Sequence, residues 1–133
     1  MIGLVLVAHA GLATELRKVV EHVMGPQEAF EILDIAADDD MDHKRKQLQD
    51  KISLVNKGAG VLLLTDMFGG TPSNLAISFL TENHLEVIAG MNVPMLVKLV
   101  SIRGEKSLHL AAEEAQVAAK SYINVASQLL NTG

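Results

Sequence analysis

The sequence predicts an α/β fold: a doubly wound, mainly parallel sheet of order 2-1-3-4 with helices on both faces. Three observations lead there. Four short runs rich in Val, Ile and Leu alternate with segments whose apolar residues recur at three- and four-residue steps, the pattern of strands joined by crossover helices. The first run, Ile2 to Ala8, has no polar alternation, as expected of a parallel strand covered on both faces. The length of 133 residues is enough for one domain, 1–133, whose core needs neither disulfide nor metal.

After that first strand, Leu12, Leu16, Val19, Val20 and Val23 fall on one face of a helix from about Leu12 to Met24, stopped by Gly25-Pro26. A second strand is expected near Ala29 to Ile35. Asp38-Asp39-Asp40 then suits a helix start, where carboxylates cap free amides and meet the positive end of the dipole. The same cluster could hold a metal, but consecutive residues on one turn diverge rather than converge on an ion. The second helix runs to about Asn56 and closes at Lys57-Gly58, and Gly60 to Thr65 makes a third strand ending in Asp66. Thr71-Pro72 opens the third helix, with threonine as the cap and proline in the first turn. Glu86 to Ala89 is the fourth strand; Gly90-Met91-Asn92-Val93-Pro94 turns into a short helix from about Met95, and a last helix fills about Leu108 to Ala119. The tail, Tyr122 to Leu130, fits a helical extension or a short strand, and periodicity does not choose between them.

Composition removes several functions. Without cysteine there is no thiol catalysis, disulfide bracing or zinc ribbon, and a reducing compartment is the simple expectation. The apolar amino terminus is too short to span a bilayer and has no leading Lys or Arg, so no membrane insertion is expected. A net charge of -5 gives no general electrostatic reason to hold nucleic acid. With 49% hydrophobic against 20% charged residues, the surface is lean in charge and favours self-association.

Sheets of this class work at the carboxyl ends of their strands, near the point where strand order reverses. Order 2-1-3-4 makes the first and third strands neighbours and sets His9 beside Asp66. His9 is the first polar side chain after the opening apolar run. A carboxylate that accepts from one imidazole nitrogen fixes the tautomer and leaves the other nitrogen as a nucleophile. Phe68-Gly69-Gly70-Thr71-Pro72 leaves the third strand just after Asp66, and its glycine pair and the following helix start suit an anion. A histidine, a carboxylate and an amide cradle without metal ligands fit transient phosphorylation of the imidazole, with the loop amides and Thr71 spreading the charge and Phe68 covering the site. Gly90 to Pro94 is expected to border the same crevice, as are Met67 and Met91, both candidate contacts for a partner protein. His22, His43, His84 and His109 read as surface or structural residues.

Val7-Ala8-His9, Asp66-Met67-Phe68-Gly69-Gly70-Thr71-Pro72 and Gly90-Met91-Asn92-Val93-Pro94-Met95-Leu96, in this order and spacing, resemble the mannose-family enzyme IIA of the bacterial phosphotransferase system. The resemblance implies a cytoplasmic phosphocarrier without cofactor that takes phosphate from HPr on the residue matching His9 and passes it to a IIB protein ahead of sugar uptake. It implies that Asp66 holds the histidine, that Phe68 to Pro72 form the active-site loop, and that a carboxyl-terminal strand crosses to the partner in a homodimer. In that family glycine commonly follows the histidine; here Ala10 does, with Gly11 next. No IIB region follows within these residues, and the acceptor is not named by the sequence. The phosphocarrier subunit of a dihydroxyacetone kinase, or a regulatory domain of the same fold, answers to the same residues. A response-regulator receiver would need acidic residues where Ala8-His9 stand, and a nucleotide or flavin module would need a glycine fingerprint that is missing.

Overall fold

The computed structural model describes residues 1–80 and 84–131. Strands β1 (Gly3–His9), β2 (Phe30–Ile35), β3 (Val61–Thr65) and β4 (Leu85–Ala89) form one sheet in the order β2-β1-β3-β4. Every pairing is parallel. The expected topology is therefore the observed one. Helices α1 (Leu12–Met24), α4 (Val93–Ile102) and α5 (Leu108–Ser121) cover one face, and α2 (Met41–Val55) with α3 (Thr71–Ile77) the other.

Side chains alternate across a strand, so β1 feeds both cores. Leu4, Leu6 and Ala8 pack with Leu62, Leu64, Leu96 and Leu99 on the first face, while Val5 and Val7 pack with Leu33, Leu63, Leu48 and Ile52 on the second. Covering both faces explains why the strand reads as an unbroken apolar run. His9 continues the Val5–Val7 side, past the last β3 pair and still opposite Ile35 of β2, and there it comes to the surface.

Strand starts fall one residue inside the expected ones at Ala29 and Gly60 because φ there is 49° and 95°, outside strand geometry; β4 starts one residue early, at Leu85. Helix α2 is capped as its acidic start implied, but by Asp40 alone, whose side chain accepts from the Asp42 N–H at 3.0 Å. Thr71 does not cap α3. Gly70 holds the cap position without a side-chain bond, and Thr71 and Pro72 are the first helical residues. Helix α4 begins at Val93 rather than near Met95 because Asn92 accepts from the Met95 N–H at 3.0 Å and caps it. In the tail, residues 122–125 are irregular and only a separate short helix forms, α6 (Ala126–Leu130), none of whose residues is buried. A carboxyl-terminal strand is not formed among the described residues, and the outer edge of β4 has no strand beside it.

Candidate functional site

The parallel register sets Val7 opposite Thr65, so His9, two residues on, and Asp66, one residue on, emerge close together at the carboxyl end of the sheet. His9 Nδ1 and Asp66 Oδ2 are 2.9 Å apart, and the same oxygen accepts from the His9 backbone N–H at 3.0 Å. Asp66 Oδ1 accepts from the Met67 N–H at 3.0 Å. Burial raises the Asp66 pKa, but the bonds from the His9 backbone and ring and from Met67 outweigh it and hold the carboxyl below its ordinary value. An ionised carboxylate can only accept, so in the neutral ring the proton sits on Nδ1 and Nε2 keeps its lone pair. The His9 side chain is 47% exposed, so the ring reaches solvent.

Two backbone features set the ring. Ala10, directly after His9, has φ 53°, a left-handed conformation that costs an alanine about 1 kcal/mol and a glycine almost nothing. Its N–H bonds to the Ile35 carbonyl at 2.9 Å, which ties the turn to the end of β2. On the other side Gly70 lies against the imidazole. A Cβ built there would meet His9 Cε1 at 2.5 Å and Nε2 at 2.9 Å. Its φ of -99° suits any residue, so glycine is required here by contact alone. Gly70→Ala should therefore displace ring or loop by about 1 Å and, if His9 carries phosphate as the sequence leads us to expect, slow its labelling about 10²-fold, with an unchanged unfolding transition. Wild-type labelling rates in that variant would show the approach to be unimportant.

The crevice beside the ring encloses about 430 Å³. His9, Ala10 and Thr71 line one side, and Ile35, Ala36, Ala37, Asp39 and Met41, from the end of β2 and the loop into α2, line the other. That second wall was missed at the sequence level. Three expectations need correction. Phe68 is 62% exposed and lines a neighbouring crevice of about 470 Å³, between the β4 edge and α5, so it does not cover the His9 crevice. Gly90 and Asn92 line that neighbour too. Met91 is only 8% exposed and packs in the first core with Met95 and Leu96, which removes it as a partner contact, whereas Met67 is exposed. Asp66 and Gly70 touch the ring and Thr71 shares its crevice, Pro72 is buried in the first turn of α3, and Gly69, at φ 88°, makes the turn before them. His22, His43, His84 and His109 are not among the residues lining the crevice.

A family model described as the PTS system fructose IIA component, EIIA-man, matches residues 3–116. The sorbose-specific EIIA component of Lacticaseibacillus casei is 33% identical over 100 residues, covering 72% of this chain and 70% of that protein. The mannose-specific EIIAB component of Escherichia coli K12 is 31% identical over 105 residues, 78% of this chain. The chain spans only 32% of the length of that relative. Among solved structures, the phosphotransferase component EIIA from Streptococcus agalactiae superposes with a TM-score of 0.87 at 23% identity, covering 96% of this chain and 99% of the other, a likeness of fold. The PTS IIA protein associated with the fucose utilization operon of Streptococcus pneumoniae has a TM-score of 0.79 at 27% identity, covering 96% and 97%.

Proposed function

The chain belongs to the EIIA-man family of phosphotransferase-system IIA components, and from that premise we propose that it is a cytoplasmic phosphocarrier working through His9. Phospho-HPr is the donor and a IIB protein the acceptor, in the service of sugar uptake. The observation that carries the reading is the 2.9 Å contact between His9 Nδ1 and Asp66, which leaves Nε2 free beside the crevice. Nε2 attacks phosphorus in line, the N–P bond of the donor's phosphohistidine breaks, and the donor ring leaves as neutral imidazole. His9 takes up the positive charge as an N-phosphorylated imidazolium whose proton stays on Nδ1, donated to the Asp66 carboxylate. The amides of Gly69 and Gly70, the first amides of α3 and the Thr71 hydroxyl offset the phosphoryl charge, since the opening N–H groups of a helix have no partner within it. Phe68 and Pro72 shape the same loop. Among the described residues no helix is long and apolar enough to cross a membrane.

A homodimer completes the proposal. The open β4 edge and the Phe68-lined crevice along it offer a strand-shaped place, and Ile123, Val125, Leu129 and Leu130 leave apolar surface exposed in the single chain. The partner's tail is the occupant that the family resemblance implies.

The function is tested by incubating the protein with labelled phospho-HPr. Acid-labile, base-stable phosphate on His9 is the expected product, and its absence removes the carrier reading. Asp66→Asn should fold normally but transfer roughly 10²- to 10⁴-fold more slowly, because the amide can donate to Nδ1 and push the ring proton onto Nε2. Nitrogen chemical shifts of the His9 ring read the tautomer directly; an unchanged tautomer with unchanged transfer would reduce Asp66 to a turn residue.

A further inference from the structure

Among the described residues, and apart from His9, the one titratable side chain lining the crevice is a carboxylate, Asp39; the rest of the lining is apolar but for Thr71. Asp39 differs from its acidic neighbours in what it touches. Asp40 is spent on the cap of α2. Asp39 turns back instead, its Oδ2 accepting from the Ala36 N–H at 2.7 Å and lying 3.4 Å from Lys44 Nζ. The Ala36 bond, against a smaller effect of burial and with help from Lys44, holds the Asp39 carboxyl below its ordinary value, so it is charged at neutral pH. Lys44 is itself committed, donating to the Asp34 carbonyl at 3.1 Å. No Lys or Arg lines the crevice among the described residues.

A crevice that must admit a dianionic group thus presents it with the negative end of the Asp39–Lys44 ion pair, and among the described residues no cation lines it. Resting on the carrier reading above, we propose that Asp39 is a specificity-determining residue: it favours donors that bring their own cationic side chain beside the phosphoryl group, and it turns away small free phospho-anions. A Lys or Arg on a protein donor, set next to its phosphohistidine, pairs with Asp39 as the surfaces close and brings the phosphoryl group in neutralised. A free acyl phosphate brings charge alone and is repelled, and fields inside a cleft change encounter rates by about 10- to 10³-fold. With acetyl phosphate the O–P bond breaks, acetate leaves, and the P–Nε2 bond forms as before. The two donors therefore differ in charge setting while ending in the same phosphohistidine.

Asp39→Asn keeps an acceptor for the Ala36 N–H and removes the charge, and with it the ion pair to Lys44. In that variant, labelling of His9 by acetyl phosphate should rise about tenfold and labelling by phospho-HPr should fall about tenfold. Opposite signs are the mark of a charge filter. If both rates fall together, or neither moves, Asp39 is only an anchor for the loop and this proposal is overturned. If the wild type takes label from neither donor, the carrier reading itself has failed, a result separate from any effect of the substitution.

Discussion

His9→Ala should yield a folded protein that takes up no phosphate from phospho-HPr. The ring is half exposed at the end of β1 and belongs to neither apolar core, so its loss opens no cavity. Nor does it strand Asp66. That carboxylate still accepts from the backbone N–H of residue 9 and from Met67, and these do not depend on the side chain. Losing one exposed pair of this kind costs at most about 1 kcal/mol, a shift of the unfolding midpoint of roughly 3–5 °C. The chemical loss is total by comparison, because alanine offers no lone pair and no second histidine lines the crevice. The check is the ratio of labelled variant to labelled wild type under identical donor concentration, alongside thermal unfolding of both. Label at the wild-type level would make another residue the carrier; a collapsed unfolding transition would give the ring a structural role that its contacts do not suggest.

The His9–Asp66 pair was legible in the sequence because it depends on topology alone. Two apolar runs that end at the same rim of a parallel sheet must present their next residues together, whatever the loops do. The far wall of the crevice was not legible for the opposite reason. In Asp38-Asp39-Asp40 three identical side chains stand in a row, and composition cannot say that Asp40 caps the helix while Asp39 turns back to the Ala36 amide. That choice is made by the course of the backbone after β2. Phe68 and Met91 failed for a related reason: both sit next to strand ends, but Phe68 leans toward the β4 edge, and Met91, whose N–H bonds to the Thr65 carbonyl at 3.0 Å, is drawn into the core. At Ala29 and Gly60 the apolar pattern continues through residues whose positive φ excludes them from the strand, a backbone fact that hydropathy does not record. Arg103 left no mark at all, being one cation just past an apolar helix.

Its consequences are nonetheless the largest for stability. Arg103 follows α4 at the amino-terminal end of the sheet, opposite the site, and is 4% exposed. One guanidinium nitrogen donates to the Ala29 carbonyl at 2.9 Å and to that of Ile2 at 3.3 Å; the other donates to the Glu28 carbonyl at 2.6 Å and Gln27 Oε1 at 3.0 Å. Burial lowers its pKa, with Glu28 opposing, yet a guanidinium starts so high that it stays charged. One side chain thus joins the start of β1, the turn into β2 and the end of α4. Arg103→Ala leaves several of these oxygens facing an apolar gap, although Ala29 retains the Leu4 N–H as a donor. The expected loss is about 3–5 kcal/mol, or roughly 10–20 °C in Tm, read by urea and thermal unfolding. Arg103→Lys should recover only part of it, because a point charge cannot span carbonyls that the planar fork reaches from two nitrogens. Arg103→Met separates charge from volume: it fills the space without donors and should stay close to the alanine variant. Should methionine restore wild-type stability, packing rather than hydrogen bonding holds this end of the sheet; should alanine cost under about 1 kcal/mol, solvent reaches those oxygens as the chain relaxes. In every one of these variants, assayed well below its own midpoint, His9 should label at the wild-type rate, since Arg103 and His9 lie at opposite ends of the strand that connects them.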